Sequence, residues 1–217
     1  MPSARTAESI ALGSVVVPGD LMVPEDTVGL VMIVDGGGRG HTDPCNLGLA
    51  QVFQQHRLAT LMFDLLTEAE GQDRHKLLDV SLLAQRLQEA MHWTWHHPHL
   101  RPFPIGLFGS FIGAAATLVG AAQRPDLVAA VVSRSGRPDL ASGCLAQVQA
   151  PTLMIVGARD TEVLALNQQA LRKLRVPKRL EVVPGAGHLL AEPGALSTVG
   201  AFAAQWYDQY LPVKRPA

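Results

Sequence analysis

The sequence predicts an α/β protein whose mostly parallel, twisted sheet of about eight strands carries helices on both faces. Two observations predict this. Short apolar runs rich in β-branched residues alternate along the chain with longer amphipathic segments, the pattern of βαβ units. The 217 residues, 47% hydrophobic and 17% charged, are enough for one sizeable core and point to a single domain over residues 1–217.

In chain order, Ser9 to Val17 and Asp20 to Val23, joined through Pro18-Gly19, read as an opening antiparallel hairpin. Strands follow at Val28–Val34, Leu58–Phe63, Phe103–Phe108, Val128–Ser133, Thr152–Val156 and Arg179–Val183. Helices fill Asp43–His56, Asp73–His96, Gly113–Gln123, Glu162–Leu174 and Pro193–Tyr210. Pro44 and Pro193 suit helix N-termini, where a missing N–H costs least. No repeat, low-complexity segment or Ser/Gly linker interrupts the pattern.

Open α/β sheets bind ligands at the carboxyl ends of their strands. The residues just after the strands are Asp35-Gly36-Gly37-Gly38, Asp64, Ser110-Phe111, Arg134-Ser135-Gly136-Arg137, Arg159-Asp160 and His188. So many polar and ionisable groups along one edge mark the expected site. Within it, Phe108-Gly109-Ser110-Phe111-Ile112-Gly113-Ala114 has the two glycines of a Gly-x-Ser-x-Gly strand-to-helix elbow. The middle residue is Phe111, and a benzyl group cannot attack a carbonyl. Ser110 does not replace it by a register shift, because bulky Phe108 and Ile112 would then stand where the turn needs small residues.

Several stretches resemble the α/β-hydrolase superfamily and, within it, the small, lidless dienelactone-hydrolase-like proteins. They are Ala59-Thr60-Leu61-Met62-Phe63-Asp64-Leu65-Leu66-Thr67, Gly136-Arg137-Pro138-Asp139-Leu140, Ile155-Val156-Gly157-Ala158-Arg159-Asp160-Thr161 and Val183-Pro184-Gly185-Ala186-Gly187-His188. The resemblance runs from Gly29 to the final helix and implies the α/β-hydrolase fold without a large lid. It implies the family order nucleophile, acid, histidine, with Phe111, Asp160 and His188 in those slots. Two departures stand out: the phenylalanine at the elbow, and Asp35-Gly36 where relatives usually read His-Gly.

The resemblance implies that His188 hangs over the elbow and that Asp160 accepts a hydrogen bond from its ring. The plainer alternatives are a surface-loop histidine and a helix cap at Asp160, and the cap can coexist with the pair. Gly36, Gly37 and Gly38 would let backbone N–H groups converge with that of Ile112 on a developing oxyanion; a tight turn is the rival. Asp35 beside that hole is expected to be protonated or paired, with Arg39, His41 or Arg134, and to serve as partner acid; a loop cap is its rival. Phe111 is expected as a platform for a planar substrate, or as a plug. Asp64, Arg134 and Arg137 are candidates for the substrate site with structural salt bridges as the simpler reading, and Ser110 lines the same wall.

His92 and His96 share an i, i+4 spacing, yet no neighbouring acid or cysteine completes a metal set. Cys45 and Cys144 lack metal spacing and read as free, inert thiols of a cytoplasmic protein. The N-terminus has no apolar core of a leader. Neither Gly-x-Gly-x-x-Gly nor a Walker loop is present, so no cofactor is expected. A net charge of -1 without a basic face argues against nucleic acid, and no segment is long enough to enter a membrane. The expected partner is an apolar, carbonyl-bearing small molecule, with a homodimer left open.

Three functions fit: non-covalent acid–base catalysis (cyclisation, isomerisation or elimination) by His188–Asp160 with Asp35; hydrolysis by activated water; or ligand binding without catalysis.

Overall fold

A computed structural model describes residues 5–35, 40–101 and 103–211. One eight-stranded sheet runs in the order β1-β2-β4-β3-β5-β6-β7-β8. Its strands are β1 (Thr6–Leu12), β2 (Val15–Met22), β3 (Gly29–Asp35), β4 (Leu58–Asp64), β5 (Ile105–Ser110), β6 (Val128–Arg134), β7 (Thr152–Gly157) and β8 (Lys178–Val183). β1 and β2 pair antiparallel, as do β2 and β4; the remaining pairings are parallel. The helices are α1 (Pro44–Gln55), α2 (Arg74–Leu78), α3 (Val80–His96), α4 (Phe111–Gln123), α5 (Thr161–Lys173) and α6 (Ala195–Tyr210).

The core lies in two layers, one on each face of the sheet. α1 and α6 cover one face, where Phe53 packs 5.6 Å from Phe108 and edge-on to Tyr207 at 5.5 Å. The Tyr207 hydroxyl donates to the Leu107 carbonyl at 2.9 Å, which satisfies the one polar atom that this buried ring brings inside. α3, α4 and α5 cover the opposite face with Leu83, Leu87, Leu118 and Leu174. The strands between the two layers are almost wholly apolar, as a sheet buried on both sides requires.

Three expectations need correction. The opening hairpin turns at Gly13, which has φ +59°, and not at Pro18-Gly19. Pro18 lies inside β2 opposite Ser9, just before the stretch Gly19–Met22 that pairs with β4, an edge-like position that tolerates a missing N–H. The long helix expected over Asp73–His96 is two helices, because Asp73 and Asp79 each cap a new N-terminus by accepting from His75 and Leu82 backbone N–H groups. The last helix begins at Ala195, after Gly194 in the left-handed region at φ +81°, so Pro193 precedes it.

The chain leaving β4 is clamped to α3 by Glu70. Burial pushes the Glu70 carboxyl up, but hydrogen bonds from Arg86, the Thr67 N–H and Lys76 outweigh it and hold its pKa at about 2. The depressed value means that this carboxylate adds stability above its ordinary pKa of 4.5 and loses it as the pH falls toward about 2. Glu70→Gln should therefore flatten the acid limb of stability over that window, and should cost about 1–3 kcal/mol at neutral pH by leaving Arg86 short of a partner. Urea unfolding at a series of pH values checks both effects.

Candidate active site

The elbow forms where β5 enters α4. Phe111, the first residue of α4, has φ +53°, a left-handed conformation that a residue with a Cβ adopts at a cost of about 1–2 kcal/mol. Gly109 makes this turn possible: a Cβ there would sit 2.6 Å from the Ala114 Cα and 2.8 Å from the Gly113 carbonyl oxygen. The turn thus lifts Phe111 to the tip above the sheet with its side chain half-buried. Ser110 one step earlier is sealed at 1% exposure and cannot meet a substrate in this state.

His188 follows β8 on the loop that begins with Gly185 at φ +68°. Its Nδ1 lies 2.6 Å from Asp160 Oδ2. A carboxylate accepting there fixes the proton on Nδ1 and leaves Nε2 as the basic nitrogen. Asp160 also caps α5, accepting from the Val163 N–H at 3.4 Å through its other oxygen, so both expected roles coexist geometrically. The loop is seated on β7 because Gly157 has no Cβ; one would overlap the carbonyls of Ala186 and Gly187. Glu192 secures it further by accepting from the Gly187 N–H at 2.9 Å while pairing with Arg159. The His188 and Phe111 rings stand 5.0 Å apart between centroids, tilted by 45°.

On the other side of the elbow, strand register aligns four polar residues. Asp64 pairs with Asp35, Asp35 with Ser110, and Ser110 with Arg134. Each stands two residues beyond an apolar residue of the α1/α6 layer, respectively Met62, Ile33, Phe108 and Val132, so all four share that face. Arg134 is 5% exposed, and its Cζ lies 5.4 Å from the Phe111 ring centroid. Burial lowers its pKa, and the nearby carboxylates of Asp35 and Asp43 pull it back part of the way. Asp35 and Arg134 thus interact electrostatically, one of the pairings expected for Asp35.

Asp64 is committed elsewhere. Its Oδ1 accepts from the Gly40 N–H at 2.6 Å and its Oδ2 faces His41 Nδ1 at 2.5 Å. Gly40 has to be glycine, since a Cβ would run into Asp35. The result is a second imidazole–carboxylate pair, with the Asp64 side chain 3% exposed and that of His41 21% exposed. Sequence reasoning named His41 only as a partner for Asp35; the adjacency of Asp35 and Asp64 on neighbouring strands was the available signal. Gly36, Gly37 and Gly38, expected to form an oxyanion loop, and Arg39 lie outside the described residues. Ile112 opens the first turn of α4 as expected, and no side chain caps that helix. Arg137 forms a bidentate pair with Asp139 at 2.9 and 2.8 Å, the structural salt bridge anticipated for it. Cys45 and Cys144 are free thiols, and the His92 and His96 rings on α3 meet at a tilt of 56° with centroids 4.3 Å apart.

Comparison with known proteins agrees with this architecture. The dienelactone hydrolase family matches residues 63–210. The crystal structure of a dienelactone hydrolase from Anabaena variabilis superimposes with a TM-score of 0.95 at 44% identity, covering 98% of this chain and 100% of that one. A dienelactone hydrolase-like promiscuous phosphotriesterase from metagenomic libraries shares the fold at a TM-score of 0.80 and 16% identity, over 98% of this chain and 100% of its own. A Mycobacterium tuberculosis protein named "Putative phosphoribosyl transferase" is 44% identical over 211 residues, 97% of this chain and 48% of that protein. The chain therefore spans about half the length of that relative. No helix among the described residues is long and apolar enough to cross a membrane. The eight-stranded, mostly parallel sheet agrees with the family match, which covers most of the chain: it belongs to the dienelactone hydrolase family and has the fold of that family's hydrolases.

Proposed function

We propose that this protein is an enzyme that transfers protons to or from a carbonyl-bearing small molecule without forming an acyl-enzyme. His188, oriented by Asp160, is the base; the first turn of α4 steadies the oxygen on which charge develops; Asp35 is the partner acid. Cyclisation, isomerisation and elimination are the reaction classes that need these parts. The observation that carries the reading is the intact His188–Asp160 pair poised over a benzene ring instead of a hydroxyl or thiol. An imidazole held in one tautomer with a free Nε2 is the equipment of a general base, worth about 10²–10⁴-fold. A backbone donor aimed at the oxyanion adds about 10²–10³-fold, so useful catalysis survives without a nucleophile.

Hydrolysis by water that His188 activates is the second reading, favoured by the family match and by the 44% identity to a dienelactone hydrolase. It asks water to attack without a covalent intermediate, which is the harder route for an unactivated ester.

Two variants separate the readings. Phe111→Ser restores a hydroxyl at the tip of the elbow and should raise cleavage of 4-nitrophenyl acetate on the order of 10²-fold over wild type. A folded Phe111→Ser protein with no gain would mean that the pair does not address the elbow. His188→Ala should lower turnover by about 10²–10⁴-fold in either reading. Wild-type ester cleavage that disappears in His188→Ala would favour activated water. Exchange of solvent deuterium into a carbonyl substrate that depends on His188 would favour proton transfer.

A further inference from the structure

We propose that His92 and His96 on α3 hold a divalent transition ion of the Zn²⁺, Ni²⁺ and Cu²⁺ class, and that the Glu89 carboxylate accepts from a water on that ion. The site is independent of the reading above and lies away from the elbow. The chain passes from the carboxyl end of β4 through α2 and α3 to the amino end of β5, so the last turns of α3 stand at the opposite edge of the sheet from Phe111.

Residues four apart on a helix share a face. His92 and His96 are both exposed, and their ring centroids are 4.3 Å apart. Two nitrogens that bind one ion at about 2.0–2.1 Å each stand no more than roughly 4 Å apart, a separation that rings this close reach by turning in place. His96 is already oriented. Its Nδ1 lies 2.9 Å from the His92 carbonyl oxygen, so that nitrogen carries the hydrogen and donates, which leaves the Nε2 lone pair for a metal. A carbonyl behind the ring is a common support of metal-binding histidines.

The second observation is a carboxylate oxygen short of a donor. Glu89 stands one turn before His92 on the same stripe of α3. Its Oε1 accepts from Gln85 at 3.3 Å, whereas its buried Oε2 has no hydrogen-bond partner among the described residues. The hairpin turn closes over this carboxylate, since a Cβ on Gly13 would sit 2.8 Å from Oε1. Buried acceptors are nearly always satisfied, and a water on the ion would supply the donor. Glu89, His92 and His96 line one open crevice of about 550 Å³ together with Trp93 and Arg124. Arg124, the cation on that rim, has its charge offset by a bidentate pair with Asp126 at 3.0 and 2.8 Å. Among the described residues no group of three or more His, Cys, Asp or Glu is placed to hold a metal, so water fills the remaining positions of the ion. Two imidazoles with water suit Zn²⁺, Ni²⁺ and Cu²⁺, whereas Mg²⁺ and Ca²⁺ ask for oxygen ligands.

Zn²⁺ is the probe, titrated calorimetrically into the tag-free chain with Mg²⁺ for comparison. Wild type should bind one Zn²⁺ at least about tenfold more tightly than His92→Gln/His96→Gln, whose other histidines measure adventitious binding. Each single histidine variant and Glu89→Gln should weaken Zn²⁺ by about tenfold or more. His97→Gln/His99→Gln and His188→Gln should bind it as wild type does, which separates this site from the catalytic reading. Cu²⁺ on wild type should show two nitrogen ligands by electron paramagnetic resonance, and one in either single histidine variant. Both histidines are exposed, so their variants should keep the metal-free thermal midpoint of wild type, and a loss of affinity then reports the site and not the fold. Wild-type affinity in the double variant or in Glu89→Gln, or Zn²⁺ bound no more tightly than Mg²⁺, would overturn the assignment, the two imidazoles then being solvated surface groups.

Discussion

The left-handed turn at Phe111 is the constraint on which the rest of the site depends. It exists because Gly109 lets β5 press against the first turn of α4 at Ala114, and no side chain fits between them. Once that turn is fixed, whatever residue occupies position 111 is presented to the crevice, and its neighbours take their bearings from it. His188 approaches from the β8 side and Arg134 from the adjacent strand β6. The backbone retains the strain of such a turn although its side chain has no nucleophilic atom. Strained conformations persist where the surroundings over-determine them, and here close packing does so.

The carboxyl edge carries two imidazole–carboxylate pairs of unlike character. His188–Asp160 joins two loops at the open side, and both residues depend on the seating of the His188 loop against Gly157. His41–Asp64 is closed in, and Asp64 spends its second oxygen on a backbone N–H. That pair ties the chain after β3 to the end of β4 and so fixes the approach to Asp35. Between them Asp35, Ser110 and Arg134 form a short polar floor under an aromatic tip, an arrangement in which charge is concentrated below and apolar contact is offered above.

Much of this was legible in the sequence because it is local or ordered along the chain. The alternation of apolar runs gave the six strands β3 to β8 to within about two residues, and the glycine spacing around Phe111 gave the elbow. Asp160 and His188 were legible from their positions after late strands and from the family pattern. The hairpin was misread because Pro18-Gly19 is a strong local turn signal that long-range pairing with β4 overrides. The break at Asp79 was hidden inside a continuous amphipathic pattern. The His41–Asp64 pair was harder to read, since its signal, the adjacency of Asp35 and Asp64, appears only once β3 and β4 are in register and Gly40 folds over Asp35.

The His188 side chain is 46% exposed, whereas the Asp160 side chain that orients it is 13% exposed. If the imidazole works as the base, its mobile hydrogen equilibrates with bulk water between and during turnovers. A hydrogen removed from one carbon would then seldom be the one delivered to another. Isotope carried in by the reactant would wash out into the medium, and an internal hydrogen relay from carbon to carbon would be the exception for this catalyst.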